Sequence, residues 1–271
     1  MVCVTRDRGA LWLLWLGLLL TAALPLLAPP RPAADAANST SFFDPGEIQA
    51  VSLIEDRSNP VIPEPEPPVK SEEQATLLFG VDTEPLISGG FSKKWSAAKA
   101  GIADNLAAVD RCRANEACTA AAQRLLDLSA EGAGRDGRAR VGLINRAVDR
   151  AISPVSDEVQ WGVADRWSPP FETLQSGRGD CEDYAIVKYA ALLAAGLSED
   201  DVKIVVVNNQ FPNEDHAMVA VRVDDEWLML DNRTLTLVRD IDLTRAIPKL
   251  VLDQEGVRRF VSRSRNIRAT G

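Results

Sequence analysis

The sequence predicts an α+β fold, a helical N-terminal half followed by an antiparallel sheet. Two observations carry this. Between residues 95 and 195 the apolar residues recur at a helical period, whereas from Val202 onward they alternate with period two. The switch falls at Gly196, a residue suited to stopping a helix. The length of 271 residues, with 46% hydrophobic and 25% charged residues, suits one domain of ordinary size plus a tail.

The chain opens with Arg6 and Arg8, then an apolar run from Leu11 to Leu27, then prolines and the small residues Ala34-Asp35-Ala36. A basic start, an apolar middle and a small-residue exit describe a secretory signal peptide over residues 1–37. The run is marginally long enough to span a membrane as a retained anchor. Pro25 and the small-residue exit favour cleavage, which would leave no lasting anchor on an exported, periplasmic protein. Residues 38–90 lack periodicity and hold the stiff acidic spacer Pro60-Val-Ile-Pro-Glu-Pro-Glu-Pro-Pro68. They read as a mostly disordered, Pro-rich acidic lead, and the folded domain is expected over 91–271.

Within that domain, helices are expected over Trp95–Val109, Glu116–Leu128 and Arg138–Ile152, with breaks at Gly132-Ala-Gly134 and Pro154. An irregular stretch from Trp161 to Arg178 follows; Trp161 and Trp167 suit a cleft wall or the core equally. A fourth helix spans Cys181–Ala195, with an apolar stripe facing the core. Val202–Val207, His216–Val223, Glu226–Asp231 and Thr234–Val238 read as strands.

Counts exclude several functions. The net charge of −9, from 30 Lys and Arg against 39 Asp and Glu, argues against a nucleic-acid partner. The single histidine, His216, excludes zinc proteases of the two-histidine type and two-histidine iron sites. Removal of the signal takes Cys3 with it and leaves Cys112, Cys118 and Cys181, an odd number for an oxidising compartment. Cys112 and Cys118, close together at a break between helices, are the natural disulfide pair. Cys181 is the one left to explain.

Cys181 sits in Gly177-Arg-Gly-Asp-Cys-Glu-Asp-Tyr184. Asp180 suits an N-cap with Asp183 three residues on, which places Cys181 in the first turn of a helix. There the macrodipole favours a thiolate, and backbone N–H groups can hold an oxyanion. A two-residue turn at Asp224-Asp225 pairs Val223 with Glu226 and puts Met218 opposite Asp231. His216 and Asp231 then share a face as diagonal neighbours, roughly 7 Å apart. A well-capped helix, a satisfied strand histidine and a strand-end aspartate each have an ordinary structural explanation. Together they favour a Cys-His-Asp nucleophilic site. Asp180, Glu182 and Asp183 crowd the thiol, would raise its pKa, and would be neutralised by a bound divalent cation.

The order Cys, His, Asp on helix, strand and next strand resembles the transglutaminase-like core, a branch of the papain-like thiol enzymes. Gly177-x-Gly-Asp-Cys-Glu-Asp-Tyr-Ala185, His216-Ala217 and Trp227-Leu-Met-Leu-Asp-Asn-Arg-Thr234 narrow the resemblance to the bacterial transglutaminase-like cysteine proteinases. It covers about Gly89 to Asn232. It implies Cys181 as nucleophile, His216 as general base and Asp231 as its orienter, with calcium held through Asp180 and Glu182. It further implies a periplasmic protease that releases a large surface adhesin from biofilm cells by cutting at a paired-alanine site. An inner-membrane receptor for cyclic di-GMP would be the partner that sequesters it. The Pro-rich acidic lead departs from that subgroup. A transglutaminase-type acyl transferase on the same site, and a non-catalytic binding module that keeps the fold, are the alternatives.

Overall fold

The computed structural model describes residues 77–210 and 213–261. The signal segment and most of the acidic lead lie outside the described residues. Among those described, no helix is long and apolar enough to cross a membrane.

A short strand, β1 (Thr83–Pro85), comes first, followed by α1 (Gly90–Arg113), α2 (Ala120–Ala130) and α3 (Gly137–Ala151). Thr119 caps α2, its hydroxyl accepting from the Ala122 N–H at 3.1 Å. The cap sets the start of α2 four residues later than the apolar pattern alone suggests. Cys112 and Cys118 form a disulfide across the break between α1 and α2. The short strand β2 (Ser153–Pro154), the one-turn helix α4 (Asp157–Trp161) and α5 (Pro170–Ser176) follow. Strand β3 (Arg178–Gly179) pairs in parallel with β2 and leads directly into α6 (Cys181–Ala194).

The second half is strand after strand: β4 (Val202–Gln210), β5 (Asn213–Val223), β6 (Glu226–Leu230), β7 (Val238–Arg239), β8 (Ala246–Asp253) and β9 (Gly256–Phe260). With β1 they form one antiparallel sheet in the order β1-β9-β8-β4-β5-β6-β7. The β5–β6 hairpin has the expected register, Val223 opposite Glu226 through Val219 opposite Leu230. Asp224 and Asp225 both take positive φ, 51° and 60°, which a two-residue hairpin of matching twist requires.

Alternation sends one set of strand residues to each face. Ile204, Val206, Ala217, Val219 and Val221 join the main core with α1, α2, α3 and α6. Val205, Val207, Met218, Ala220 and Val251 form a second apolar layer on the other face, covered in part by Leu78 and Phe79. α6 is the centre of the molecule. Helices on one side and the sheet on the other bury it all round rather than along a single stripe, and only Leu193 escapes full burial.

Three features depart from the sequence reading. Strand β1 pairs with β9 and lies before the expected domain start at 91. β7 is only the pair Val238–Arg239 and shares just Val238 with the strand expected over 234–238. β8 and β9 have no counterpart in the sequence reading. Pro248 interrupts the pattern of β8, and it sits where the β4–β8 register shifts between Val206 and Val207.

Candidate active site

The site is built at the start of α6. Gly177, with φ +63°, ends α5 in the left-handed region and turns the chain into β3. Gly179 has a different reason to be glycine: a Cβ there would lie 2.6 Å from Asp183 Cβ and 2.7 Å from its Oδ2. The chain therefore passes closely over the first turn of the helix and delivers Cys181 to that turn, fully buried. The Cys181 sulfur rests against β5, where the Ala217 N–H donates to it at 3.3 Å. On the helix side Sγ is 3.2 Å from Glu182 Oε2.

His216 is the residue next to that peptide on β5. Its Nε2 lies 2.8 Å from Asp231 Oδ1, which also accepts from the Arg233 N–H at 2.9 Å. The other ring nitrogen, Nδ1, is buried and has no hydrogen-bond partner among the described residues. Burial alone would raise the Asp231 carboxyl. The hydrogen bond and charge of His216, with help from Arg233, outweigh it and hold the group below the usual carboxylate range. Asp231 is thus an anion that fixes one imidazole nitrogen and leaves Nδ1 available.

The acidic residues separate into two roles. Asp180 occupies the N-cap position of α6, but its side chain makes no capping hydrogen bond, contrary to the expectation from sequence. Its carboxylate instead joins those of Glu182 and Asp157, with one oxygen from each lying within 4.8 Å of the others, all buried. Asp180 Oδ1 is buried there without a hydrogen-bond partner among the described residues. Burial, with the nearby charges of Asp157 and Asp165, pushes Asp180 up to about 7, and burial followed by Asp180 raises Glu182 well above its usual value. Burial also raises Asp157. Three buried carboxylates brought together, with Asp180 Oδ1 unpartnered among the described residues, fit a hard divalent cation that takes oxygen ligands.

Asp183 stands outside this group. Its Oδ1 accepts from the Ser168 N–H at 2.9 Å and so holds the loop between α4 and α5. Burial pushes its carboxyl up to about 8. The structure thus brings Asp180 and Glu182 together as the sequence suggests and supplies Asp157, which the sequence reading missed, in place of Asp183. Asp157 sits in the first turn of α4, and its Oδ2 accepts from the Arg166 N–H. The tryptophans of this loop also divide. Trp161 lies under the Arg166 guanidinium, 4.2 Å from it, while Trp167 packs on Phe91 at the edge of the core.

The model of the bacterial transglutaminase-like cysteine proteinase family matches residues 106–243. Among solved structures, LapG of Legionella pneumophila is 20% identical over 58% of this chain and 86% of its own, with a TM-score of 0.45. A calcium-bound structure of LapG gives 21%, 56%, 86% and 0.46 in the same order. An EGTA-treated one gives 20%, 60%, 87% and 0.47. A search of the curated proteins gave no match.

Proposed function

The chain belongs to the bacterial transglutaminase-like cysteine proteinases, a family of cysteine peptidases, and on that premise we propose that Cys181, His216 and Asp231 hydrolyse a peptide bond of an exported protein substrate. The observation that carries this assignment is the His216 ring. Asp231 engages Nε2 at 2.8 Å, and Nδ1 is left on the residue adjoining the peptide that holds the Cys181 sulfur.

In the proposed reaction Nδ1 accepts the Cys181 thiol proton, and the thiolate attacks the scissile carbonyl carbon. The oxyanion lies at the start of α6, where backbone N–H groups have no partner within the helix. His216 then gives its proton to the leaving amine as the C–N bond breaks and a thioester remains on Cys181. Water, deprotonated by His216, releases the acid. Asp231 stabilises the imidazolium and holds the ring orientation throughout.

Asp157, Asp180 and Glu182 are proposed to hold calcium. When bound, it would neutralise carboxylates that otherwise oppose ionisation of the neighbouring thiol. Asp183 keeps the loop bearing Trp167 and Ser168 against the helix start.

Export to the periplasm, release of a surface adhesin and capture by an inner-membrane receptor complete the reading. They rest on the apolar N-terminus and on the family resemblance of the site motifs. Comparison of the surface proteomes of wild-type and Cys181→Ala cells tests them: a large surface protein retained only in the variant is expected, and identical proteomes would overturn adhesin release. An acyl transferase would pass through the same thioester. Product analysis with and without an added amine separates the two, because a protease gives the same free acid in both.

A further inference from the structure

The strand that delivers Cys181 has an open side. Among the described residues β3 pairs only with β2, and in parallel. On that side the Gly177 carbonyl accepts from the Ser153 N–H at 2.8 Å, and the Gly179 carbonyl from the Val155 N–H at 3.0 Å. Backbone polar groups alternate along a strand, so the N–H and C=O of Arg178, between those glycines, face the other way. No described strand meets them there. The hydroxyl of Ser176 does, from an exposed residue two positions back. It accepts from the Arg178 N–H at 3.2 Å and lies 3.0 Å from the Arg178 carbonyl as a donor.

That hydroxyl is a poor substitute for a strand. It has one proton to donate, and the Thr173 carbonyl competes for it, also at 3.0 Å. A second group beside it is unfilled. Gln160 of α4 reaches Ser176 Oγ through Nε2 at 3.4 Å, while its Oε1 is buried without a hydrogen-bond partner among the described residues. Leaving a buried acceptor without a donor is costly, and a donor that arrives with a ligand accounts for it. The position gives the edge its use. Only Asp180 stands between β3 and Cys181. Arg178 is therefore about 10 Å along the chain from the nucleophile, at roughly 3.3 Å per residue.

We propose that the outer edge of β3 is the subsite that seats the substrate. An extended peptide segment, about two to four residues from the scissile bond, pairs its backbone with the N–H and C=O of Arg178. It displaces the Ser176 hydroxyl and offers a further N–H to Gln160 Oε1. This rests on the reading of Cys181 as the nucleophile. The occupant is a chain in strand conformation, recognised through its backbone; a helical stretch of a protein is not seated.

Tripeptide reagents test this on the full chain, with calcium present and after mild reduction. Chloroacetyl-trialanine amide carries its arm on the side of residues that follow a scissile bond. Acetyl-trialanine chloromethyl ketone carries it on the preceding side. In each the Cys181 sulfur displaces chloride, and the rate is read on the Cys181 peptide by mass spectrometry. Chloroacetamide and chloroacetone are the armless controls. At least one arm should speed alkylation about tenfold or more over its control. The same arm built from N-methylalanine, which has no N–H, should lose that gain. Arg178→Pro removes the outward N–H and spares the bonds to β2, so the ratio of armed to armless rate should fall toward one. Gln160→Leu should lower the same ratio.

Equal rates with and without both arms would overturn the proposal. So would a gain that N-methylation leaves intact, a result read on wild-type protein even if Arg178→Pro fails to fold. The catalytic reading fails separately: chloroacetamide would then alkylate Cys181 no faster than it alkylates free cysteine in solution.

Discussion

Burial governs the chemistry of Asp180 and Asp183, and it does so with a definite sign. Both carboxyls titrate higher in the folded chain than in the unfolded one, at about 7 and about 8. Between roughly pH 4 and those values the folded state binds more protons, so stability without a cation falls as pH rises through that window. A cation that binds the ionised form works against this loss. The thermal midpoint of chelated protein should therefore fall from about pH 5 to about pH 8, and the rise caused by added calcium should grow over the same interval. A calcium-induced rise independent of pH would contradict the assigned ligands. Asp157→Asn should weaken calcium at least about tenfold, and more than Asp183→Asn does, in a titration followed by calorimetry. The pairing of His216 with Asp231 and the grouping of Asp180 with Glu182 beside Cys181 were legible because each of these residues sits in or beside a short motif. Asp157 was not, since it comes from a separate one-turn helix 23 residues before Asp180 and nothing local marks it.

Among the elements, the α5–β3–α6 turn is the most constrained. Gly179→Ala places a methyl inside the space of Asp183, which cannot retreat without losing its Ser168 hydrogen bond. A loss of about 1–3 kcal/mol in denaturant unfolding is expected, with a larger proportional loss of activity because the shift lies beside the nucleophile. The four long helices and the β5–β6 hairpin were legible from period and turn chemistry, the hairpin down to its register. β8 was not, because Pro248 falls inside it and a bulge in the pairing accommodates that proline. β1 and β9 are too short to show a period of their own and gain their pairing from the sheet. The α1–α2 disulfide, expected from spacing, closes a short loop and should contribute toward the low end of roughly 2–4 kcal/mol. Peptide mapping without reductant should recover residues 112 and 118 in one linked fragment.

For the whole molecule, α6 couples core and chemistry: the helix that fills the space between helices and sheet also carries the proposed nucleophile, Cys181, in its buried first turn. Its outer support includes residues that the sequence assigned to the acidic lead. Leu78 and Phe79 cover the second apolar layer, and β1 closes the sheet edge at β9. A chain beginning at residue 77 should match the full chain in thermal midpoint and hydrolysis, whereas one beginning at 91 should unfold several degrees lower. Equal midpoints would return β1 and its flanks to the lead.

The central claim is that His216 activates Cys181, and the pH dependence of alkylation at Cys181 tests it without knowledge of the substrate. The rate is read on the Cys181 peptide by mass spectrometry after mild reduction, with calcium present, in wild-type protein and in His216→Ala. The account predicts that wild-type Cys181 stays reactive well below the ordinary thiol midpoint of about 8.5, and that His216→Ala returns the midpoint to that value or above. Coincident curves with an ordinary midpoint would contradict it.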